Sequence, residues 1–303
     1  MFERVDESVE LGLQQLHIFG GEPTLVDNLP YLIERATKSH VNTSVVTNGA
    51  TPNSCSEAYR ERLLTSSLGT LTVSLDTYCA STNDNTVNVC GAWQATVDFI
   101  KGVISKKERL GRTGENEMPV YVNAVVTDSS LFNLAQHITF LGDLGINDVK
   151  LLIVKKSPDR RISEKTYDLF VEKEAQHVID LARSYGFRMF ADDVETFFNG
   201  NPKIRENVIG GMYYLPFHIP CYLSLTELAI ASDGEVYTCI YHFWDRKKGT
   251  GMNVLNQTMN EIFVKYDPLS NNDPSVCGND CTRKVVDINR IISDKLGGTP
   301  HGR

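Results

Sequence analysis

The stretch Leu16-His17-Ile18-Phe19-Gly20-Gly21-Glu22-Pro23-Thr24-Leu25 decides how the rest of the chain is read. Leu13, Leu16, Ile18 and Phe19 make an apolar run that predicts a short buried strand. Gly20 and Gly21 then allow a sharp turn and bring bare N–H and C=O groups close to a ligand. Glu22 sets a carboxylate beside them, where it could receive an ammonium group. Pro23 fixes the exit from the strand. A Gly-Gly pair alone also suits an ordinary strand-to-helix turn, so its meaning depends on what surrounds it.

Working outward, strands and helices alternate. Residues 1–12 read as the end of a helix, with Val5, Val9 and Leu13 spaced by four. After the stretch come a helix from Leu29 to Lys38 with Pro30 in its first turn, a strand over 43–47 and a helix over 56–65. A strand over 71–75 ends in Asp76, and a helix over 91–110 turns Val97, Ile100 and Ile104 to one side. Strands over 120–126 and 149–154 flank a helical stripe of Leu131, Leu134, Ile138 and Leu141. Tyr167, Phe170, Val171, Val178 and Leu181 mark one long helix, and Phe187–Phe190 one more short strand. Such alternation implies a parallel sheet with helices outside, either a closed (β/α) barrel or an open doubly wound sheet. In both, a site lies at the C-terminal strand ends. Those ends carry Gly20–Glu22, Thr47, Asn48, Ser74, Asp76, Asn123 and Thr127. Residues 191–220 read as an irregular linker whose Tyr213, Tyr214 and Phe217 either pack or line a pocket.

A chain of 303 residues can bury a full core, and 41% hydrophobic with 22% charged residues is ordinary for a globular protein. A net charge of −8 argues against general nucleic-acid binding and against an anionic membrane surface. There is no apolar run of about 18 residues to span a membrane, and the acidic start lacks the apolar core of a signal peptide. An odd count of seven cysteines fits metal or redox use in a reducing cytoplasm better than a disulfide framework.

Four of those cysteines lie in the last third. Cys221 is followed by 12 residues, Gly234, four residues and Cys239, with a hairpin turn predicted at Ser232-Asp233-Gly234. Cys277 and Cys281 share a tight loop. Four thiolates from a hairpin and a loop suit an iron–sulfur cluster or a tetrahedral zinc, although neither pair is the Cys-x2-Cys knuckle usual for zinc. Cys55, Cys79 and Cys90 have no ligand spacing and read as free, partly buried thiols. The histidines show no paired spacing. Lys155, Lys156, Asp159, Arg160 and Arg161 read as a solvated cluster, with contact to an anionic substrate as the sharper alternative.

Gly20-Gly21-Glu22-Pro23, followed by a helix and a strand ending in Thr47-Asn48-Gly49, resembles the cofactor motif of radical S-adenosylmethionine (SAM) enzymes. Cys-x12-Gly-x4-Cys at 221–239, with Gly251-Met252-Asn253-Val254 and Glu261-Ile262-Phe263, resembles the SPASM and twitch extensions of that family. The resemblance implies a partial (β/α)6 TIM-like barrel over 1–190, its first strand missing, a linker over 191–220 and a small α+β cysteine-ligated extension over 221–303. It implies SAM as cofactor, held by Gly20, Gly21, Glu22, Pro23, Thr47 and Asn48, with Ser74 and Asp76 near its ribose or the substrate and Asn123 near the methionine carboxylate. It implies an auxiliary [4Fe–4S] cluster on Cys221, Cys239, Cys277 and Cys281. The family reaction cleaves SAM reductively to a 5′-deoxyadenosyl radical that abstracts hydrogen from a substrate, here a small molecule or a peptide, with flavodoxin or ferredoxin as reductant. The catalytic [4Fe–4S] cluster requires a Cys-x3-Cys-x2-Cys loop. None occurs here, so the expectation is a chain without its N-terminal piece, unable to cleave SAM itself. Two readings of other classes stand beside this one, a non-catalytic binding module with a structural metal and a zinc-stapled (β/α) enzyme of other chemistry.

Overall fold

The computed structural model describes residues 2–153, 161–210, 228–237 and 249–265. The chain divides into two units, Leu13–Gly211 and a smaller one joining Met1–Gly12 to the chain from Met212 onward. The first helix, α1 (Phe2–Glu10), belongs to the smaller unit.

In the larger unit β1 (Gln15–Ile18), β2 (Asn42–Thr47), β3 (Thr70–Ser74), β4 (Val120–Val126) and β5 (Asp148–Ile153) form one parallel sheet. Their order in the sheet is their order in the chain. That order separates the two architectures left open above. A doubly wound sheet reverses its strand order at a switch point. A strictly consecutive order with right-handed crossovers puts every connecting helix on one face, as in a barrel wall. The sheet is therefore the expected partial barrel, with five strands.

Between β1 and β4 the connections are α2 (Leu29–Lys38), α3 (Pro52–Cys55), α4 (Glu57–Thr65), α5 (Ala80–Val87) and α6 (Ala92–Arg109). Beyond β4 come α7 (Leu134–Asp143), α8 (Glu164–Lys173), α9 (Ala175–Ser184), α10 (Arg188–Phe197) and α11 (Pro202–Gly210). Helix α2 shows how sequence sets this packing. Leu29, Leu32, Ile33 and Ala36 recur at helical spacing, and all four are buried. On the sheet, Val45, Leu71, Val73, Val122, Ala124 and Val149 are buried on the helix-bearing side. At the far end of the sheet Lys107 Nζ donates to Glu117 Oε1, Met118 O and Asn147 Oδ1, each at 3.1 Å, tying α6 to the starts of β4 and β5.

Four expectations need correction. Strand β1 is not buried. Among the described residues it is the sheet edge, with β2 as its one neighbour, and its residues alternate between exposed and half-buried. The long helix over 167–181 is two, α8 and α9, which meet at Glu174, where φ is −122°. Phe187–Phe190 is the entry to α10, not a strand. The segment expected as an irregular linker is, as far as it is described, mostly helical through Gly210.

The physical reason at α10 is a remote cap. The buried Asp148 carboxylate, at the start of β5, accepts from Met189 N at 2.9 Å and Phe190 N at 3.2 Å. Those amides are the unsatisfied donors of a helix N-terminus, and the carboxylate also favours the positive end of the helix dipole. Asp148→Ala is expected to cost about 1–2 kcal/mol. Urea denaturation checks it: the midpoint falls while the m-value stays unchanged.

In the smaller unit β6 (Ala229–Ile230) and β7 (Val236–Tyr237) pair antiparallel around the predicted turn. Gly234 sits there at φ +83°, and a Cβ on it would lie 2.7 Å from Leu255 Cγ, so the position admits only glycine. A last described helix, α12 (Met259–Lys265), opens with a capping box. Thr258 N donates to Glu261 Oε2 at 2.8 Å, and Glu261 N donates to Thr258 Oγ1 at 3.2 Å. Glu7 of α1 adds a second cap, accepting from Met259 N at 2.7 Å. Val236, Met259 and Ile262 form the buried core, with Leu228, Met252 and Val254 packed around it.

Candidate functional site

At the end of β1 the backbone turns through Gly20 at φ +80° and Gly21 at φ +37°. A Cβ on either would meet nothing within 4 Å, so backbone conformation and not packing calls for glycine. Pro23 opens a single 3-10 turn, Pro23–Leu25, and Glu22 caps it.

The Glu22 carboxylate is the hub. Its Oε1 accepts from Thr24 N at 3.0 Å, Thr24 Oγ1 at 2.6 Å and Thr47 Oγ1 at 2.6 Å. Its Oε2 accepts from Asn48 N at 2.7 Å. One side chain thus locks the exit of β1 to the exit of β2. Oε2 keeps acceptor capacity for a further donor.

Behind Glu22 lies a hydroxyl cluster that the sequence reading missed. Thr24, Thr51 and Ser54 are buried. Thr24 Oγ1, spending its proton on Glu22, is the acceptor for Ser54 Oγ at 3.0 Å and contacts Thr51 Oγ1 at 2.9 Å. Thr51 also caps α3, accepting from Ser54 N at 3.1 Å. A signal was present: Thr51-Pro52 is a helix-start pair.

The other expected residues fall along the strand ends. Asn48 Oδ1 closes a local turn on Ala50 N at 2.8 Å, and its carbonyl accepts from Thr96 Oγ1 at 2.7 Å. A Cβ on the next residue, Gly49, would lie 2.8 Å from Phe99 Cδ1. Ser74 is exposed at the end of β3, directly beside Asn123 of β4, which in turn lies beside Lys150 of β5. Asp76 Oδ1 accepts from Val125 N at 2.9 Å and so braces β3 against β4. Thr127 closes the turn after β4, its N–H donating to Ser130 Oγ at 2.9 Å. The parallel register therefore brings Glu22, Thr47 and Asn48 into one hydrogen-bonded group, and Ser74, Asn123 and Lys150 into one row. Lys150 was not singled out from sequence; its signal is a charge inside an otherwise apolar strand.

Two titratable groups stand out. Cys79, after the β3 exit, has its thiol drawn down to about 7 by hydrogen bonds from Ser81 and Thr82. Cys55 and Cys90 are exposed, not partly buried as expected. His137 of α7 is almost fully buried, and burial pushes its imidazole down to about 4. Its Nε2–H donates to Leu75 O at 3.0 Å, between Ser74 and Asp76.

Cys221, Cys239, Cys277 and Cys281 lie outside the described residues, as do Tyr213, Tyr214, Phe217, Lys155, Lys156, Asp159 and Arg160. Among the described residues no group of three or more His, Cys, Asp or Glu could hold a metal ion, and no helix is long and apolar enough to cross a membrane.

No family model matches the chain. Over 131 residues, 43% of this chain and 31% of the relative, it is 30% identical to a PqqA peptide cyclase of Granulibacter bethesdensis. Solved structures share the fold, two of them with peptides bound. Streptococcus suis SuiB bound to the precursor peptide SuiA superposes with a TM-score of 0.57 at 17% identity, covering 92% of this chain and 58% of SuiB. The protein anSMEcpe with bound AdoMet and the Cp18Cys peptide gives a TM-score of 0.59 at 15% identity, covering 89% of this chain and 73% of that one. The chain thus spans under a third of the length of its curated relative and less than two thirds of SuiB.

Proposed function

We propose that the Leu13–Gly211 unit binds SAM at the β1 and β2 exits and belongs to a radical SAM enzyme that modifies peptides. The observation that carries this is Glu22. Its carboxylate is immobilised by Thr24, Thr47 and Asn48, beside two left-handed glycines with open space around them. That arrangement fits a methionyl ammonium, which needs fixed acceptors and room for the backbone to approach. Thr47 and Asn48 hold Glu22 in place, Ser74 and Asp76 face the ribose or substrate side, and Asn123 offers an amide donor to the methionyl carboxylate. A fold shared with a protein that binds AdoMet and with two that bind peptides supports both the cofactor and the substrate class. A relative that is a peptide cyclase supports it from sequence.

Bound SAM supplies the radical chemistry once it is reduced. The residues described here are those of binding and orientation. The seven cysteines include no Cys-x3-Cys-x2-Cys set for a catalytic cluster. The proposal extends to an auxiliary [4Fe–4S] cluster on Cys221, Cys239, Cys277 and Cys281 and to a flavodoxin or ferredoxin as electron donor.

The test is calorimetric titration with SAM, alongside iron, sulfide and zinc analysis after anaerobic reconstitution. The expected result is saturable SAM binding, about four irons per chain lost in Cys221→Ala/Cys239→Ala, and no 5′-deoxyadenosine from these 303 residues under dithionite. Absent SAM binding would sink the cofactor assignment. One zinc without sulfide would favour the zinc-stapled alternative.

A further inference from the structure

The hydroxyls of Thr24, Thr47, Thr51 and Ser54 are buried behind Glu22, and where their protons go decides what Glu22 can accept. A hydroxyl has one proton to give and two lone pairs to receive with. The Thr47 proton goes to Glu22 Oε1 at 2.6 Å, and Thr47 Oγ1 accepts from Gly49 N at 3.0 Å. The Thr24 proton also goes to Glu22 Oε1, at 2.6 Å. Thr24 Oγ1 then has no proton left for its other neighbours, and Ser54 Oγ donates to it at 3.0 Å. Thr51 Oγ1 lies 2.9 Å from Thr24 Oγ1 and 2.9 Å from Ser54 Oγ. Both of those oxygens have already given their protons away, so the Thr51 proton runs to one of them. Every hydroxyl proton in the group points toward the carboxylate.

That direction has two consequences. Hydrogen bonds in a chain polarise one another, so donors behind Thr24 strengthen its bond to Oε1. Oε1 is also filled: it meets Thr24 N, Thr24 Oγ1 and Thr47 Oγ1, while Oε2 meets Asn48 N. A carboxylate offers about four lone-pair sites, so a further donor is directed to Oε2. Thr24 and Ser54 are 0% exposed, which leaves no path for solvent to stand in for a missing hydroxyl.

We propose that Ser54, with Thr51 behind it, is a positioning residue for the cofactor: acting through Thr24, it sets the Glu22 carboxylate to receive the methionyl ammonium on Oε2. The proposal rests on reading the β1 and β2 exits as a SAM site. A purely structural role for Ser54 is the competing account. Its backbone does serve the fold: Ser54 N donates to the capping Thr51 Oγ1 at 3.1 Å, and Ser54 O accepts from Arg60 Nη1 at 2.8 Å. Neither bond uses the Ser54 hydroxyl, so Ser54→Ala leaves both in place and removes the donor to Thr24.

The test compares SAM with the analogue that lacks its amino group, each titrated calorimetrically into the whole chain. The wild type is expected to prefer SAM, and Ser54→Ala to lose about fivefold of that preference. The analogue is expected to bind the wild type and Ser54→Ala equally, which a loosened site would not allow. Thr24→Val cuts the relay and leaves Ser54 and Thr51 to pair with each other, so adding Ser54→Ala to it is expected to change the preference no further. Thr51→Ser, which keeps the hydroxyl, is expected to match the wild type, and Thr51→Val to lose part of the preference; this pair carries the comparison should Ser54→Ala fail to fold. A full preference in Ser54→Ala, an equal loss of affinity for both ligands, or additive effects of Thr24→Val and Ser54→Ala overturns the proposal. Wild type that binds both ligands alike overturns the ammonium reading of Glu22 and this proposal with it, whereas a wild-type preference that survives Ser54→Ala overturns this proposal alone.

Discussion

Glu22→Ala is expected to lower SAM affinity about 100-fold and to destabilise the Leu13–Gly211 unit by about 2–3 kcal/mol. Both effects come from one carboxylate. It accepts from Thr24 N, Thr24 Oγ1, Thr47 Oγ1 and Asn48 N, joining the exits of two neighbouring strands beyond the last register pair, Ile18 with Val45. Hydrogen bonds to a charged group are worth about 1.5–3 kcal/mol each, but they do not add within a network. The hydroxyls can also re-pair. Thr47 Oγ1 lies 3.3 Å from Thr24 Oγ1 and can turn toward it once Glu22 is gone. That relaxation keeps the loss near that of one bond and not four. Asn48 N has no such recourse. Glu22→Gln separates the two effects. Its amide oxygen can keep the Thr24 and Thr47 bonds, while its amide nitrogen then faces Asn48 N–H, donor against donor. The Gln variant is expected to recover about half the stability and none of the SAM affinity. Thermal unfolding and calorimetry on the two variants decide it. Wild-type SAM affinity in folded Glu22→Gln would show that the carboxylate braces the strands without meeting the cofactor.

The same stretch shows what sequence makes legible. Gly20-Gly21-Glu22-Pro23 could be read because each residue has a local job: left-handed backbone, left-handed backbone, acceptor, fixed φ. Strands β2 and β4 could be read because burial on one face imposes alternation, and β3 and β5 because they carry runs of apolar and β-branched residues. What escaped reading is set by tertiary neighbours. Asp148 caps a helix that starts 40 residues later, and no local pattern announces that. The buried hydroxyls of Thr24, Thr51 and Ser54 look like surface residues until the fold gathers them. Lys150 is hard to see because its strand is otherwise apolar, and one charge in an apolar run says nothing of which face it takes until register is known. The exposure of β1 is not legible because composition does not say whether a strand has neighbours on both sides.

The buried imidazole of His137 gives the second large effect, and it is a pH effect. Its Nε2 faces the Leu75 carbonyl at 3.0 Å, so that nitrogen carries the proton and the ring is neutral. Its Nδ1 has no hydrogen-bond partner among the described residues. Protonating Nδ1 would place a charge in the core with no acceptor to meet it, which is why burial drives the group down to about 4 from its ordinary 6.5. The unfolded chain takes up this proton near pH 6.5 and the folded chain only near 4. Stability is therefore complete above pH 6.5, falls as pH drops through this window, and levels off below it, having lost about 3 kcal/mol at most. His137→Gln keeps a donor for Leu75 and cannot titrate. It is expected to be somewhat less stable than wild type at pH 7.5, through imperfect packing, and to show a flatter decline from pH 6.5 to 4. Urea midpoints measured across that range test the difference in slope, since the carboxylates titrate equally in both proteins. Because Leu75 lies between Ser74 and Asp76, the contact also bears on the β3 exit: Nε2–H donates to Leu75 O in both protonation states, so SAM affinity in the wild type is expected to follow the global fold on the acid side and not to weaken ahead of it.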